Sequence, residues 1–379
     1  MPMTRAEAVI DLEALRRNLA TVSSAVTGVP VMAVVKADAY GHGMTRIAQE
    51  ARGAGVSWLG VALLSEARAL RAAGDTGLIL AWLWAPGDPD LDACVGSDVD
   101  ISVSALWALS DVAASARRLG VRARVHLKVD TGLSRNGASL DEWADLVGAA
   151  LAEQGSGAID VVSVWSHLAN ADRPDDQSVA DQRTAYEAAV AVAAEAGLPP
   201  VVRHLANTPA ALGYPETRYD LVRIGIGIYG VPPATPGSAS ALGLTSVMTL
   251  RGRLALVKVI PAGQSVSYGS NWTAPRRTRV GLVPLGYADG VPRSASGRAQ
   301  VLVNGARCPI LGRVAMDQFV IDLGELVGDV RAGSDVVLFG DEATGAPTAD
   351  DWAVASDTIG YEIVTRVGAR VPRRYVGAR

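Results

Sequence analysis

Eight short apolar runs alternate with amphipathic stretches over residues 29–230, and this alternation restricts the fold more than any other feature of the sequence. The apolar runs predict β-strands at 30–36, 58–62, 77–84, 99–103, 121–129, 160–166, 201–205 and 219–224. The stretches between them predict helices at 43–54, 65–73, 105–119, 140–154, 177–196 and 208–213, with a weaker one near 88–95. Strands of this kind are typical of a parallel sheet covered by helices. The pattern therefore predicts an α/β fold with a TIM-like (β/α)8 barrel. A doubly wound open sheet is the alternative, although no G-x-G-x-x-G motif follows any predicted strand.

The character of the sequence changes at residues 231–245, where Pro, Gly and Ser dominate and indicate a boundary. From about residue 246 helix-like patterns nearly vanish, and β-rich runs follow at 247–260, 264–268, 278–285, 299–303, 308–310, 318–323 and 335–339. An apolar stretch in the first ten residues predicts one more strand for this second region. The sequence thus predicts a barrel domain over residues 11–240. It also predicts a mostly-β C-terminal domain over residues 241–379, which includes a strand from residues 1–10.

Charge and cysteine content argue against several classes of function. The formal net charge of -4 gives no basic surface for nucleic acid. The first eleven residues have no apolar signal core, and the longest apolar runs, such as 77–86, are too short to cross a bilayer. Two cysteines cannot make a disulfide framework, and the zinc motifs C-x-x-C and H-E-x-x-H are absent. We therefore expect a cytoplasmic protein that acts on a small molecule and has no metal, nucleic-acid or membrane partner.

Lysine is rare in a chain that otherwise uses arginine for positive charge. Lys36, Lys128 and Lys258 are the only lysines among 35 basic residues. An arginine cannot form a Schiff base and does not lose its proton in proteins. A lysine within an apolar run, as Lys36 is, is therefore a candidate for chemistry that needs a primary amine.

Unusual polar residues follow the predicted strands at their carboxyl ends, which is where all eight loops of such a barrel meet and where its catalytic groups lie. These residues are Lys36, Lys128, Asp130, Arg135, His167, His204, Asn207 and Arg223. The position of the set predicts an active site at this end of the barrel.

The segment AVVKADAYGHG at 33–43 resembles the pyridoxal-phosphate signature of bacterial alanine racemases. The resemblance continues, in the family's order, in KVDTGLSRNG at 128–137, SHLANAD at 166–172, HLANTPAA at 204–211, RIGIGIYG at 223–230, SYGSNW at 267–272, GYADG at 286–290, GRVAMDQ at 312–318 and GYEIV at 360–364. Leu168 and the Thr208-Pro209 pair depart from the commoner family residues, and neither departure removes a chemical role. The resemblance implies a cofactor-bearing barrel followed by a β-domain, in agreement with the pattern above.

The resemblance also implies how pyridoxal 5'-phosphate is held. Lys36 is its covalent carrier and Arg223 is the partner of its ring nitrogen. The remaining cofactor contacts that the family pattern implies are Tyr40, His167, Asn207, Thr208, Gly225, Ile226 and Tyr361.

By the same resemblance, Lys36 and Tyr268 are the two catalytic bases. Arg135 and Met316 bind the substrate carboxylate, and Lys128 is a site of carbamate modification. Two tyrosines, Tyr287 and Tyr361, would narrow the entrance, and Asp317 would orient neighbouring loops. The family pattern also implies a homodimer in which each active site takes Tyr268 and Met316 from the other subunit.

The resemblance therefore implies an alanine racemase that interconverts L-alanine and D-alanine by a two-base mechanism and supplies D-alanine for peptidoglycan. A broad-specificity or other small amino-acid racemase on the same scaffold shares these motifs and remains an alternative. A decarboxylase of the same fold type is less consistent, because that branch pairs the ring nitrogen with an acid. An idle pyridoxal-phosphate carrier lacks a β-domain, which residues 246–379 supply here.

Overall fold

The computed structural model describes residues 5–234, 237–324, 326 and 328–377 of the chain. These residues form two compact units. The barrel unit contains residues 19–39 and 44–225, and the β unit contains residues 5–18, 40–43 and 226–377, apart from the gaps given above. The predicted division into 11–240 and 241–379 stays a prediction, and residues 1–4 of the predicted first strand lie outside the described residues.

The secondary structure alternates strands and helices up to residue 224 and is mainly β beyond it. The strands are β1 Ala6–Asp11, β2 Val31–Val34, β3 Trp58–Leu63, β4 Leu78–Leu83, β5 Asp100–Val103, β6 Ala123–Lys128, β7 Ile159–Trp165, β8 Val202–His204, β9 Val222–Ile224, β10 Met248–Arg253, β11 Leu256–Ile260, β12 Ser265–Val266, β13 Trp272–Thr273, β14 Thr278–Val283, β15 Gln300–Val303, β16 Ala306–Leu311, β17 Phe319–Asp322, β18 Asp335–Phe339 and β19 Arg373–Val376. The helices are α1 Leu12–Ala25, α2 Lys36–Gly41, α3 Met44–Gly53, α4 Leu64–Ala72, α5 Leu91–Gly96, α6 Leu106–Leu119, α7 Leu140–Gly155, α8 Gln177–Glu195, α9 Thr208–Gly213, α10 Ala349–Ser356 and α11 Gly360–Thr365.

Eight parallel strands of the barrel unit form one sheet in the order β8-β7-β6-β5-β4-β3-β2-β9. Two backbone hydrogen bonds join the end strands, from Asp220 N to Arg203 O and from Arg223 N to Ala206 O, both at 3.0 Å. The sheet therefore closes on itself, and the predicted (β/α)8 barrel is confirmed.

Apolar side chains fill much of the barrel, and several of its strands are buried along their whole length. All four residues of β2 are buried, as are all four of β5. Met32, Trp58, Leu80 and Leu221 form one core cluster inside the sheet. Burying such side chains is favourable by about 1.5–3 kcal/mol each, which explains why these runs read as nearly continuous hydrophobic sequence.

The β unit contains a nine-stranded sheet in the order β11-β14-β17-β16-β15-β18-β10-β1-β19, with β12 and β13 as a separate pair. Strand β1 pairs antiparallel with β10 and parallel with β19. The mostly-β character predicted for this region is confirmed. Sequence patterns did not identify α10, α11 or β19. Helix α10 carried a readable signal, because Thr348 and Asp351 form a capping box at its start.

Among the helices in the described part of the chain, none has the combination of length and apolar character that a membrane-spanning helix requires.

Candidate active site

The carboxyl ends of the barrel strands gather the cationic and imidazole side chains that the sequence predicted. Lys36 lies two residues after β2, Lys128 ends β6 and His204 ends β8. His167 follows β7 by two residues, and Arg223 is the middle residue of β9. Parallel strands place these positions at one edge of the barrel, so residues separated by nearly 190 positions in the sequence share one site.

Lys36 begins a left-handed turn. Its four following residues, Ala37 to Tyr40, all have φ between 53° and 54°. The turn is closed by a hydrogen bond of 2.8 Å from Ala39 N to Val35 O. A left-handed conformation costs roughly 1–2 kcal/mol for each residue that has a Cβ atom, and runs of this length are rare. The segment after Lys36 is thus strained and must be held by its surroundings.

Glu66, near the start of α4, holds this turn from the neighbouring loop. Its Oε1 accepts a hydrogen bond of 2.6 Å from Ala37 N, and its Oε2 accepts bonds of 2.9 and 3.0 Å from Ala62 N and Leu63 N. A single carboxylate therefore ties the residue after Lys36 to the end of β3. Sequence reasoning missed Glu66, because a glutamate in the first turn of a helix reads as an ordinary capping residue.

A second loop, between β6 and α7, is shaped by Asp130. Its carboxylate accepts hydrogen bonds of 2.9 Å from Gly132 N and 3.1 Å from Ser134 N. Gly137 has φ of 136°, and a Cβ atom there would lie 2.5 Å from Asp130 N, so only glycine fits. The loop therefore has one defined path, and it presents Arg135 at the surface of the barrel end.

The lysines of the site are surrounded by other cations. Burial lowers the pKa of Lys36, and the positive charge of Arg135 lowers it further, while Glu66 acts in the opposite direction. Burial likewise lowers the pKa of Lys128 to about 7, with further contributions from Arg223 and Arg135. Both amines therefore spend more time neutral near pH 7 than an exposed lysine does.

Trp165, at the end of β7, lies close to two of these cations. Its ring centroid is 4.3 Å from Lys128 Nζ and 4.8 Å from Arg223 Cζ, and Lys36 Nζ lies 5.8 Å from the ring of Trp82. Aromatic faces attract cations, and the attraction increases where water is excluded. Trp165 therefore offsets part of the repulsion between Lys128 and Arg223. Sequence reasoning did not single it out, because a tryptophan in a strand reads as core.

Arg223 is buried and donates to acceptors that carry no formal negative charge. Nη1 donates to His204 Nδ1 at 2.9 Å and His204 O at 3.1 Å. Nη2 donates to Ser166 O and Leu205 O at 2.9 Å, and to His167 Nδ1 at 3.1 Å. None of these five bonds uses Nε. Burial lowers the pKa of Arg223 to about 9, so the guanidinium stays protonated at neutral pH.

His167 is neutral in this environment. Burial lowers its pKa well below the usual value, and the positive charge of Arg223 lowers it further. Since Nδ1 accepts a hydrogen bond from Arg223, the ring proton of the neutral imidazole lies on Nε2. His167 can therefore donate one hydrogen bond from Nε2 without changing charge.

Two of the predicted cofactor contacts, Thr208 and Gly225, meet where β8 and β9 end. Thr208 is buried at the start of α9, and its Oγ1 accepts a hydrogen bond of 3.0 Å from Gly225 N. Asn207 is the N-cap of this helix, and its side chain accepts a bond of 3.3 Å from Ala210 N. Asn207 therefore fixes the start of α9 and, through it, the position of Thr208.

The remaining predicted cofactor residues lie in the β unit. Tyr40 is buried, and its ring centroid lies 4.9 Å from that of Tyr229 and 6.3 Å from that of Tyr361. Ile226 is also buried, at the start of a short 3-10 turn that ends at Tyr229. Burial raises the pKa of Tyr40, so its hydroxyl remains a hydrogen-bond donor.

The predicted second base lies on the surface of the β unit. Tyr268 is 73% exposed, Met316 is 53% exposed and Tyr287 is 42% exposed. Tyr268 follows Ser267, whose φ is 63° and whose hydroxyl donates to Arg313 O at 2.7 Å. The backbone before Tyr268 is thus anchored, while the three large side chains remain exposed.

Asp317 lies next to Met316 and is fixed by an ion pair of 2.8 Å with Arg370. Arg370 also lies 3.4 Å from Asp289, which is fully buried. The predicted role of Asp317 in orienting neighbouring loops stays a prediction.

Family models match both parts of the chain. Residues 10–233 match the model described as alanine racemase, N-terminal domain, and residues 247–375 match the model described as alanine racemase, C-terminal domain. Together they cover most of the chain.

Curated relatives are similar over nearly their whole length. An alanine racemase of Frankia casuarinae is 52% identical and covers 98% of this chain and 96% of the relative. An alanine racemase of Streptomyces coelicolor has the same identity and coverage. Among solved structures, the alanine racemase from D-cycloserine-producing Streptomyces lavendulae is 50% identical, with a TM-score of 0.97 over 100% of this chain and 99% of that one.

Proposed function

The chain belongs to the alanine racemase family, and on that premise we propose that it interconverts L-alanine and D-alanine with Lys36 and Tyr268 as the two bases. It is a pyridoxal-phosphate-dependent isomerase. The observation that carries the residue assignment is the half-buried Lys36 with its lowered pKa, which lies at the same barrel end as an arginine that has a donor to spare.

The donor set at the barrel end fits pyridoxal phosphate. Lys36 offers an amine with a lowered pKa, which is the form that reacts with an aldehyde. Arg223 offers Nε, which takes part in none of its five protein hydrogen bonds. When bound, pyridoxal phosphate delocalises the negative charge that is left at Cα after the α-proton is removed.

Arg223 would hold the ring nitrogen of the cofactor through Nε. A guanidinium can only donate, so a nitrogen that accepted from it would carry no proton of its own. Arg223 would thereby limit how far charge is drawn into the ring and would favour return of the proton to Cα. We assign Arg223 the role of keeping the reaction a racemisation rather than a transamination.

We propose that the two bases face opposite sides of Cα. Lys36 takes the proton of D-alanine at Nζ, and Tyr268 of the partner subunit takes the proton of L-alanine at its phenolic oxygen. His167 would support Tyr268 with a hydrogen bond from Nε2, because its neutral ring has the proton there. The substrate carboxylate would bind Arg135 and Met316 of the partner subunit.

The phosphate contacts that we propose are Tyr40, Thr208, Gly225, Ile226 and Tyr361. The burial of Thr208 supports its assignment, because its hydroxyl accepts from Gly225 N and keeps its own proton to donate. Tyr287 and Tyr361 would narrow the entrance for a small amino acid, and Asp317 would orient the loops beside Met316.

We further propose a homodimer with shared active sites. Large side chains at the carboxyl ends of the barrel strands remain exposed, among them Leu83 at 52% and Trp107 at 41%, as does Tyr268 in the β unit. Exposed apolar surface of this kind is typical of an interface with another chain. We also propose a cytoplasmic location and a role in supplying D-alanine for peptidoglycan.

Lys36 is expected to be the only carrier of the cofactor. The purified protein should be yellow, and borohydride should fix pyridoxal phosphate to the peptide that contains Lys36. Lys36→Ala should lose the colour and alanine racemisation, whereas Lys258→Ala, which changes an exposed lysine, should keep both. Peptide mapping that places the label on Lys128 or Lys258 would contradict the assignment.

Lys128 is expected to bind carbon dioxide as a carbamate. Only a neutral amine reacts, and with a pKa of about 7 the neutral fraction of Lys128 becomes the larger one as the pH rises above 7. Carbon-13 NMR after addition of labelled bicarbonate at pH 8 should show one protein-bound carbamate. The signal should vanish in Lys128→Ala and persist in Lys258→Ala. A signal that survives in Lys128→Ala would exclude Lys128 as the modified residue.

Tyr268→Phe should separate the two bases. Removing a general base typically costs about 10²–10⁴-fold, so racemisation should fall by that factor in both directions. Solvent deuterium should still enter D-alanine, because Lys36 is intact, while L-alanine should exchange far more slowly. Tyr219→Phe is the control. The Tyr219 phenol, which lies before β9, donates a hydrogen bond to Glu187 in α8, so its loss should leave both exchange rates unchanged. Equal loss of exchange from both enantiomers would refute the two-base assignment.

Hybrid dimers test the shared site. A mixture of Tyr268→Phe and Lys36→Ala subunits contains dimers in which one of the two sites is whole. After subunit exchange, activity should recover to about a quarter of the wild-type value, whereas each variant alone stays nearly inactive. Absence of recovery, with hybrids confirmed by native mass spectrometry, would mean that Lys36 and Tyr268 act within one subunit.

A further inference from the structure

A chain of buried polar side chains crosses the barrel interior and ends at Arg223. Asp100 Oδ2 lies 3.0 Å from His126 Nε2, His126 Nδ1 lies 3.1 Å from His204 Nε2, and His204 Nδ1 lies 2.9 Å from Arg223 Nη1. Asp100, His126 and His204 are all fully buried. At its outer end, Asp100 also accepts hydrogen bonds from Arg124.

The strands fix the direction of this chain. Asp100 is the first residue of β5, His126 lies in the middle of β6 and His204 is the last residue of β8. This chain of hydrogen-bonded side chains therefore runs from the amino end of the barrel to the end where Lys36 and Arg223 lie. Aromatic contacts hold the rings: His126 packs edge-on at 5.3 Å against Trp58, and His204 stacks at 5.2 Å on Trp165.

The donor and the acceptor in each of the three hydrogen bonds follow from the groups at the two ends, the Asp100 carboxylate and the Arg223 guanidinium. A carboxylate only accepts, so His126 must donate from Nε2, and its Nδ1 is then the acceptor in the neutral ring. His204 must in turn donate from Nε2 and accept at Nδ1, where the guanidinium of Arg223 donates. Every bond thus points from Arg223 towards Asp100, and only one pair of tautomers satisfies all three contacts.

The protonation states of Asp100 and His204 agree with hydrogen bonds that point from Arg223 towards Asp100. Burial would raise the pKa of Asp100, but the hydrogen bonds from His126 and Arg124 hold it below its usual value. Burial and the positive charge of Arg223 place the pKa of His204 well below the ordinary value, so this ring is neutral. Asp100 therefore remains a carboxylate in the barrel interior. The imidazoles of His126 and His204 link it to a guanidinium that has no carboxylate partner among the residues the structure describes.

We infer that Asp100 is a positioning residue for Arg223, which acts through His126 and His204 by fixing both histidines in their Nε2-protonated form. This inference rests on the proposed function, in which Arg223 is the partner of the ring nitrogen. With Nη1 held by His204 and Nη2 by the backbone, the guanidinium has one orientation and its Nε remains available to donate. A buried polar network that is satisfied at every member is rigid, whereas one with a reversed donor is strongly destabilised.

Asp100→Asn is the decisive change, because Arg124 cannot give up its protons. The amide oxygen of the new side chain should turn to Arg124, which leaves the amide NH2 facing His126. His126 and His204 should then shift their protons to Nδ1, and a donor of His204 would face a donor of Arg223. In the double variant Asp100→Asn/Arg124→Met the oxygen is free to face His126, and the original tautomers should return.

Nitrogen-15 NMR of histidine-labelled apoprotein at pH 7.5 reads the tautomers without cofactor or turnover. The wild-type protein should show His126 and His204 neutral with the proton on Nε2, and Asp100→Asn should show it on Nδ1. Asp75→Asn is the matched control, because Asp75 precedes the adjacent strand β4 and binds Arg52 and Arg71, so its loss should leave both histidine patterns unchanged. A wild-type His204 that is protonated on Nδ1 would overturn the inference even if Asp100→Asn did not fold.

The reconstituted enzyme gives the second readout. Loss of a buried hydrogen bond that supports a charged group should lower kcat by about 10- to 100-fold. The KM for alanine should be little changed, because Asp100 acts on Arg223 and not on the substrate. The double variant should recover part of kcat, and Asp75→Asn should keep the wild-type kcat.

A tautomer shift with an unchanged kcat would overturn the role of Asp100 while leaving the proposed function intact. Failure of borohydride to label Lys36 would instead contradict the proposed function. The NMR experiment on the apoprotein would still measure the tautomers of His126 and His204.

Discussion

The parallel pairing of eight strands around a closed barrel is the constraint on which the rest of this structure depends. Strands such as β2 and β5 are buried along their whole length, and many polar side chains of the site lie where the strands end. The closure between β8 and β9 brings Arg223 beside His204 and Ser166, which belong to the two preceding strands and their loops. Without that closure the guanidinium would lose its acceptors.

The site concentrates features that are unfavourable on their own. Lys36 starts a left-handed turn of residues that have Cβ atoms, and Lys128, Arg135 and Arg223 place positive charges near one another. The compensations are specific. Glu66 accepts three backbone hydrogen bonds at the turn, and Trp165 presents its face to two cations. Strain and repulsion of this kind persist only where the surrounding packing holds them, and in this protein they coincide with Lys36, the amine to which we assign the chemistry.

Arg223 connects the two sides of this arrangement. Among the described residues its Nε takes part in no hydrogen bond, and its charge lowers the pKa of His167 and Lys128. Towards the barrel interior it donates to His204, from which hydrogen bonds lead to Asp100. A guanidinium has enough donors to serve both sides, which a lysine in the same place would not.

The sequence alone determined the two-part architecture and the family, and it predicts the residues of the site. Apolar periodicity is a local property, so all eight barrel strands could be predicted within a few residues, and the motif around Lys36 identified the family. Only the tertiary structure revealed the left-handed turn and the hydrogen bonds by which Glu66 holds it. The same is true of the hydrogen-bonded side chains that lead from Asp100 to Arg223. Asp100 and His204 are about a hundred residues apart, and neither stands in a pattern that links it to the other. Their relation exists because barrel closure places their strands around one interior, and no local pattern in the sequence records which buried polar groups will meet there.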